Sequence, residues 1–187
     1  MSVTVALHDP AWRRQFEVEA RRLADRLGDV VVGLHHIGST AIPGLPAKPI
    51  IDILMEATDL ASLDEATPAL EALGYEAKGE HGIPHRRYFR KDNASGTRTH
   101  HLHAFESGTE DVRRHLAFRD YLMAHPSVAL AYGELKRALA QRHPDDMDAY
   151  VRGKDAFVKA QLAQAVAWYP SRPSAETQAT EPRRGNP

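Results

Sequence analysis

The chain has no cysteine. Disulfides, thiolate nucleophiles and cysteine-ligated zinc are therefore excluded. It lacks any apolar run near the roughly 20 residues that a membrane-spanning helix needs. The N-terminus also lacks the core of a secretory signal. A cytoplasmic protein with no membrane partner is the expectation. An excess of one charge is missing too. The 24 Lys and Arg nearly balance the 25 Asp and Glu, leaving a net charge of −1 with neutral histidines. Bulk nucleic-acid binding is not expected from that balance, though a local basic groove is compatible with it. No G-x-x-x-x-G-K-[ST] phosphate loop occurs.

What is present suits one folded domain. The 187 residues are 42 % hydrophobic and 26 % charged, enough for a real core. Eleven histidines stand out, because imidazole titrates near neutral pH. Residues 9–27 read as a helix, with Asp9 as cap and Trp12, Phe16, Leu23 and Leu27 at helical spacing. Val30 to Ile37 reads as a strand, 38–48 as a loop with room for a short helical turn, and Pro49 to Met55 as a buried strand. Leu60 to Leu73 is an expected helix ended by Gly74. Strands over Tyr75–Glu80, Arg86–Lys91 and Thr99–Glu106 form an expected meander. Helices follow at 110–124, 126–142 and 145–168, with breaks at Pro126 and Pro144. Residues 1–170 are thus expected to form a single domain. Residues 171–187, rich in Pro, Ser, Thr and Arg, read as a disordered tail. A mixed sheet with a helical segment after it predicts an α+β or α/β fold.

The segment His36 to Met55, H-I-G-S-T-A-I-P-G-L-P-A-K-P-I-I-D-I-L-M, carries the most chemistry. Gly38 and Ser39 follow a strand, where backbone N–H groups and a hydroxyl can face a small anion. A plain capped turn is the simpler reading of a Gly-Ser pair alone. Asp52 lies inside an apolar strand and is costly to bury unless paired or metal-bound. Strand alternation puts Asp52 and Ile50 on one face, Ile51 and Ile53 on the other. His101 and His103, two apart on a later strand, share a face and can chelate a metal through ring nitrogens. A polar strand face bonded to its neighbours explains the same pair more simply. On the preceding strand Arg87 and Lys91 share one face and Arg86 and Arg90 the other; one pair is free to bind phosphate while the other faces solvent. Lys48 is a further candidate. Arg119, Lys136 and Lys154 in the helices are further candidates to point toward the sheet, although a solvated helix face is the simpler reading of any one of them.

H-I-G-S-T-A-I-P-G-L-P-A-K-P-I-I-D-I resembles the signature of the GrpB family, in the nucleotidyltransferase superfamily. R-R-Y-F-R-K, H-L-H-A-F, F-R-D-Y-L, Y-G-E-L-K and Y-V-R-G-K-D-A-F look like later family segments, in the family's order. The resemblance covers about residues 6–168. It implies the polymerase-β-like core: a mixed sheet flanked by helices, with a C-terminal helical segment. In that superfamily a Gly-Ser turn holds nucleotide phosphates and strand carboxylates bind Mg²⁺. Carried over, Gly38 and Ser39 match the turn and Asp52 matches one carboxylate. The second carboxylate is missing, since Ile50 and Leu54 occupy the alternate positions. His101 or His103 stands near the place of a third carboxylate, although imidazole is softer than Mg²⁺ prefers.

The resemblance therefore implies a protein that binds a nucleotide or other phosphorylated small molecule with a divalent cation, Mg²⁺ or Mn²⁺. In a catalytic form it would transfer a nucleotidyl group to a small molecule. Asp52, His101 and His103 would be catalytic and metal-binding; Gly38, Ser39, Lys48, Arg87 and Lys91 would bind phosphate. The alternative is a noncatalytic ligand-binding or chaperone-like module linked to coenzyme A metabolism, because related domains occur fused to dephospho-coenzyme A kinase. A metal-dependent hydrolase using the same three residues is a third option.

Overall fold

The computed structural model describes residues 3–169; the expected disordered tail, 171–187, lies outside them. In chain order the elements are α1 (Ala11–Leu27), β1 (Val31–Ile37), β2 (Ile51–Ala57), α2 (Leu60–Glu65), α3 (Thr67–Ala72), β3 (Tyr75–Ala77), β4 (Arg87–Asp92), β5 (Arg98–Glu106), α4 (Glu110–Ala124), α5 (Pro126–Arg142) and α6 (Met147–Trp168). α1 starts where Asp9 predicts. Its carboxylate accepts the Ala11 N–H at 2.8 Å, so one orphan donor of the first turn is satisfied. The single helix expected over Leu60–Leu73 is instead two. Pro68 has no N–H to continue the ladder of α2, and it fits the first turn of α3.

The five strands run in the order β1-β2-β5-β4-β3. β2 and β5 are parallel, and the other neighbouring pairs are antiparallel. The expected meander of β3, β4 and β5 is present, but β3 ends at Ala77, short of Glu80. Two more backbone bonds to Tyr88, from the Lys78 N–H and to the Gly79 carbonyl, keep the chain beside β4 before it enters a loop held by Arg86, whose guanidinium donates to the Glu80 and His81 carbonyls at 3.1 and 2.7 Å.

Alternation along the strands sorts the side chains. Ile51, Ile53, Met55, Phe89, Leu102 and Ala104 form one face and meet Trp12, Leu23, Leu63 and Leu70 from α1, α2 and α3. Burying each such side chain contributes about 1.5–3 kcal/mol, so this face is the main core. On the other face Ile37, Leu54 and Phe105 are covered by Val112 of α4. A third cluster joins Leu122, Ala129 and Tyr132 to Ile42 and Leu45, and thereby seats the helical layer α4–α6 on the β1–β2 loop. The fold is a mixed α+β sheet flanked by helices. Among the described residues no helix is long and apolar enough to cross a membrane.

Candidate functional site

The second sheet face is only partly covered, and Asp52 lies in the gap. The register puts Asp52 beside Ile37 on β1 and His101 on β5, and Arg90 follows His101 on β4. Asp52 Oδ1 is 2.9 Å from His101 Nδ1 and 3.8 Å from His103 Nε2. Burial pushes the Asp52 carboxyl up, but hydrogen bonds and charge from His101 and His103 outweigh it and hold it well below the usual range. One ligand atom from each of the three lies within 4.8 Å of the others. An oxygen and two nitrogens this close can share one ion. The donor set suits Mn²⁺ or Zn²⁺ better than Mg²⁺, which prefers oxygen. Tyr88 walls the pair, its ring centroid 5.6 Å from His101 and 5.1 Å from His103. Arg86 Nη1 approaches His103 Nδ1 at 3.4 Å, which leaves Nε2 to face Asp52.

Gly38 has φ +70, and a Cβ there would lie 2.4 Å from Asp52 Oδ2. No side chain fits against the carboxylate, so this glycine is fixed by both conformation and space. The turn after it, Ser39–Ala41, is one 3₁₀ turn, as the loop allowed. It is tied across the strand ends. Thr40 Oγ1 donates to the Ile50 carbonyl at 3.3 Å and accepts from His36 Nε2 at 3.0 Å. Burial pushes His36 down to about 4, so its ring is neutral near pH 7.

Two clefts meet at Asp52. The first has a volume of about 230 Å³ and runs past the start of β2 toward α5 and α6, touching Ser39, Lys48, His101, Lys136 and Lys154. The second, about 530 Å³, runs toward α4 and touches Gly38, His103 and His115. Ser39 and His101 thus border one cleft and Gly38 and His103 the other, and the two share Asp52.

The first cleft holds three ammonium groups, and among the described residues no carboxylate pairs with any of them. Lys48 Nζ contacts Met147 Sδ at 3.5 Å, and Lys136 Nζ donates to the Pro46 carbonyl. Lys136 lies 4.6 Å from the Tyr132 ring and Lys154 4.4 Å from the Tyr150 ring. Burial, then repulsion from Lys154, brings Lys136 down to about 7. Burial and the charge of Lys48 lower Lys154 as well. Lys136 is only 2 % exposed, which corrects its reading as a solvated helix charge. A signal was present: Tyr132/Lys136 and Tyr150/Lys154 repeat one Tyr-x-x-x-Lys spacing, which stacks the ammonium on the ring one turn away.

The structure sets Arg87 and Lys91 apart from this site. Both lie on the opposite sheet face with Phe89 and Leu102. Arg87 forms a two-pronged pair with Asp64 of α2 at 2.6 and 2.7 Å, and Lys91 meets the buried Glu19 of α1 at 2.6 Å. The expected pairing by alternation is present, but the face assigned to phosphate is the one that packs on helices. Lys48, Ser39 and Gly38 do border the clefts.

Comparison with known proteins agrees with this architecture. The family model described as GrpB protein matches residues 2–164. The UPF0157 protein YqkA of Bacillus subtilis is 42 % identical over 173 residues, 92 % of this chain and 50 % of YqkA. A dephospho-CoA kinase of Mycolicibacterium paratuberculosis is 29 % identical over 86 % of this chain and 45 % of the kinase. The chain thus spans about half the length of each of these two relatives. A crystal structure of conserved protein GrpB from Enterococcus faecalis superposes with TM-score 0.85 at 43 % identity, covering 90 % of this chain and 100 % of that one. Terminal uridylyl transferase 4 from Trypanosoma brucei, with bound dUTP, superposes with TM-score 0.55 at 11 % identity, over 89 % of this chain and 60 % of that one. The sheet order, the Gly38 turn and these matches together make the chain a member of the GrpB family with a nucleotidyltransferase-like fold.

Proposed function

We propose that this protein binds a nucleoside triphosphate together with a divalent cation and transfers the nucleotidyl group to a small acceptor. The observation that carries the reading is the convergence of Lys48, Lys136 and Lys154, none with a carboxylate partner among the described residues, on a cleft that ends at Asp52. One buried and two half-buried ammonium groups, with the single Asp52 charge acting on Lys48 and Lys154, are crowded unfavourably, and a polyphosphate relieves them. Ser39 and the three lysines hold the β- and γ-phosphates, and the α-phosphate lies against Asp52. A divalent ion held by Asp52, His101 and His103 would polarise the α-phosphoryl oxygen when bound. His101, oriented by Asp52, keeps its place at the end of the cleft.

A second reading, a noncatalytic nucleotide-binding module, is favoured by one feature. Only one carboxylate stands in the cluster able to hold a metal among the described residues, and its alternate neighbours are Ile50, just before β2, and Leu54. Two-metal transfer normally uses more.

Calorimetric titration with ATP and Mn²⁺ tests the proposal. Wild type should bind ATP, and Lys136→Met should weaken ATP at least tenfold with Mn²⁺ affinity retained. Asp52→Asn keeps the shape and removes the charge, so Mn²⁺ affinity should fall at least tenfold. Equal Mn²⁺ affinity in wild type and Asp52→Asn would remove the metal role. Pyrophosphate release during incubation with hydroxyl-bearing acceptors separates the catalytic from the noncatalytic reading.

A further inference from the structure

The second cleft extends from Asp52 in the other direction along the sheet, toward α4 and α6. Its walls are mostly apolar: Ile37, Ile83, Phe118, Val158 and Leu162. Ile83 projects from the Arg86-held loop and is 36 % exposed. The volume of about 530 Å³ is in the range of pockets that enclose a small molecule. One polar group inside it has a fixed orientation. His115 Nδ1 lies 2.7 Å from the Asp111 carbonyl, which can only accept, so Nδ1 carries the proton. The bare Nε2 of the neutral ring has no protein partner among the described residues.

In-line displacement at phosphorus places the entering and leaving oxygens on opposite sides. The lysines occupy one side of Asp52, and the apolar cleft occupies the other. From this arrangement we infer that the second cleft is the acceptor site, and that it takes a small alcohol with an apolar body. The inference rests on the nucleotidyl-transfer reading. The hydroxyl donates to His115 Nε2, which orients its oxygen toward Asp52. That oxygen forms a bond to the α-phosphorus, the bond from the α-phosphorus to the bridging oxygen breaks, and pyrophosphate leaves toward Lys48, Lys136 and Lys154. The hydroxyl proton passes to bulk water. Asp111 and Arg114 border the same cleft and give its mouth one charge of each sign, so bulk charge does not select the occupant.

The test uses 4-phenyl-1-butanol as acceptor probe and inorganic triphosphate as leaving-group probe, each titrated into the full chain by calorimetry. The alcohol should bind wild type equally well with and without saturating triphosphate. Leu162→Asp and Ile83→Asp should each weaken the alcohol at least tenfold and leave triphosphate affinity within twofold. Lys136→Met should do the reverse. Ile83 lies on a loop and Leu162 belongs to no core cluster, so both variants should fold, and a melting curve checks each. Alcohol binding that is absent, unchanged in both aspartate variants, or displaced by triphosphate overturns the acceptor site. Failure of triphosphate to bind wild type overturns the nucleotidyl-transfer reading itself, a separate result.

Discussion

Lys136 shows how much one side chain can report. Its ammonium is buried beside Lys154, and its pKa lies at about 7. In the unfolded chain a lysine titrates near 10.4, so between about pH 7 and 10 the unfolded state binds more protons. Burial of Lys136 therefore costs stability below about pH 7, and the cost lessens as pH rises toward 10. A bound polyphosphate stabilises the charged form. Triphosphate binding should then take up protons at pH 8, where free Lys136 is mostly neutral, and take up few at pH 6, where it is already charged. Calorimetry in two buffers of different ionisation enthalpy measures the difference, and Lys136→Met should abolish it. Proton uptake that is the same in wild type and Lys136→Met would place the titrating group elsewhere. None of this was legible from Lys136 in isolation, because a lone helix lysine is usually solvated. Asp52 was legible: a carboxylate between isoleucines on a strand has few harmless explanations.

At the scale of elements, the strand and helix order was readable from hydrophobic period and from Gly and Pro punctuation. The errors fall where a local signal was outweighed. Pro68 split an apparently continuous apolar helix, and the positive φ of Gly79 turns the chain out of the β3 path before Glu80. β4 is the instructive case. Alternation grouped Arg87 with Lys91 and Arg86 with Arg90, but no local pattern says which face meets helices. That depends on β5 inserting between β2 and β4, a tertiary fact. The face toward α1 carries a test. Glu19 has a side chain 4 % exposed and relies on Lys91 at 2.6 Å, with Arg22 at 3.6 Å. Lys91→Met strands that carboxylate and should destabilise by roughly 3 kcal/mol, read from urea unfolding. ATP affinity should not change, since Lys91 is on the far face. A loss of ATP binding without loss of stability would restore Lys91 to the site.

Across the whole molecule, the sheet is made of two pieces that are each local in sequence. β1 and β2 form one, and the β3–β4–β5 meander forms the other. Only the parallel contact of β2 with β5 joins them within the sheet, and the Asp52–His101 bond crosses that join over 49 residues of sequence. Closing such a separation is slow compared with forming hairpins. The two halves can therefore acquire strand structure before they meet, and the Asp52 centre does not exist until they do. During refolding from urea, far-ultraviolet ellipticity should recover ahead of Mn²⁺ binding, and the Mn²⁺ signal should follow the last kinetic phase. Weakening the join, as by Leu102→Ala, should lengthen that lag, whereas Lys91→Met should mainly speed unfolding. The proposed ion centre is in this sense a stopwatch for the union of the two halves: a chain that takes up Mn²⁺ has closed the seam between β2 and β5.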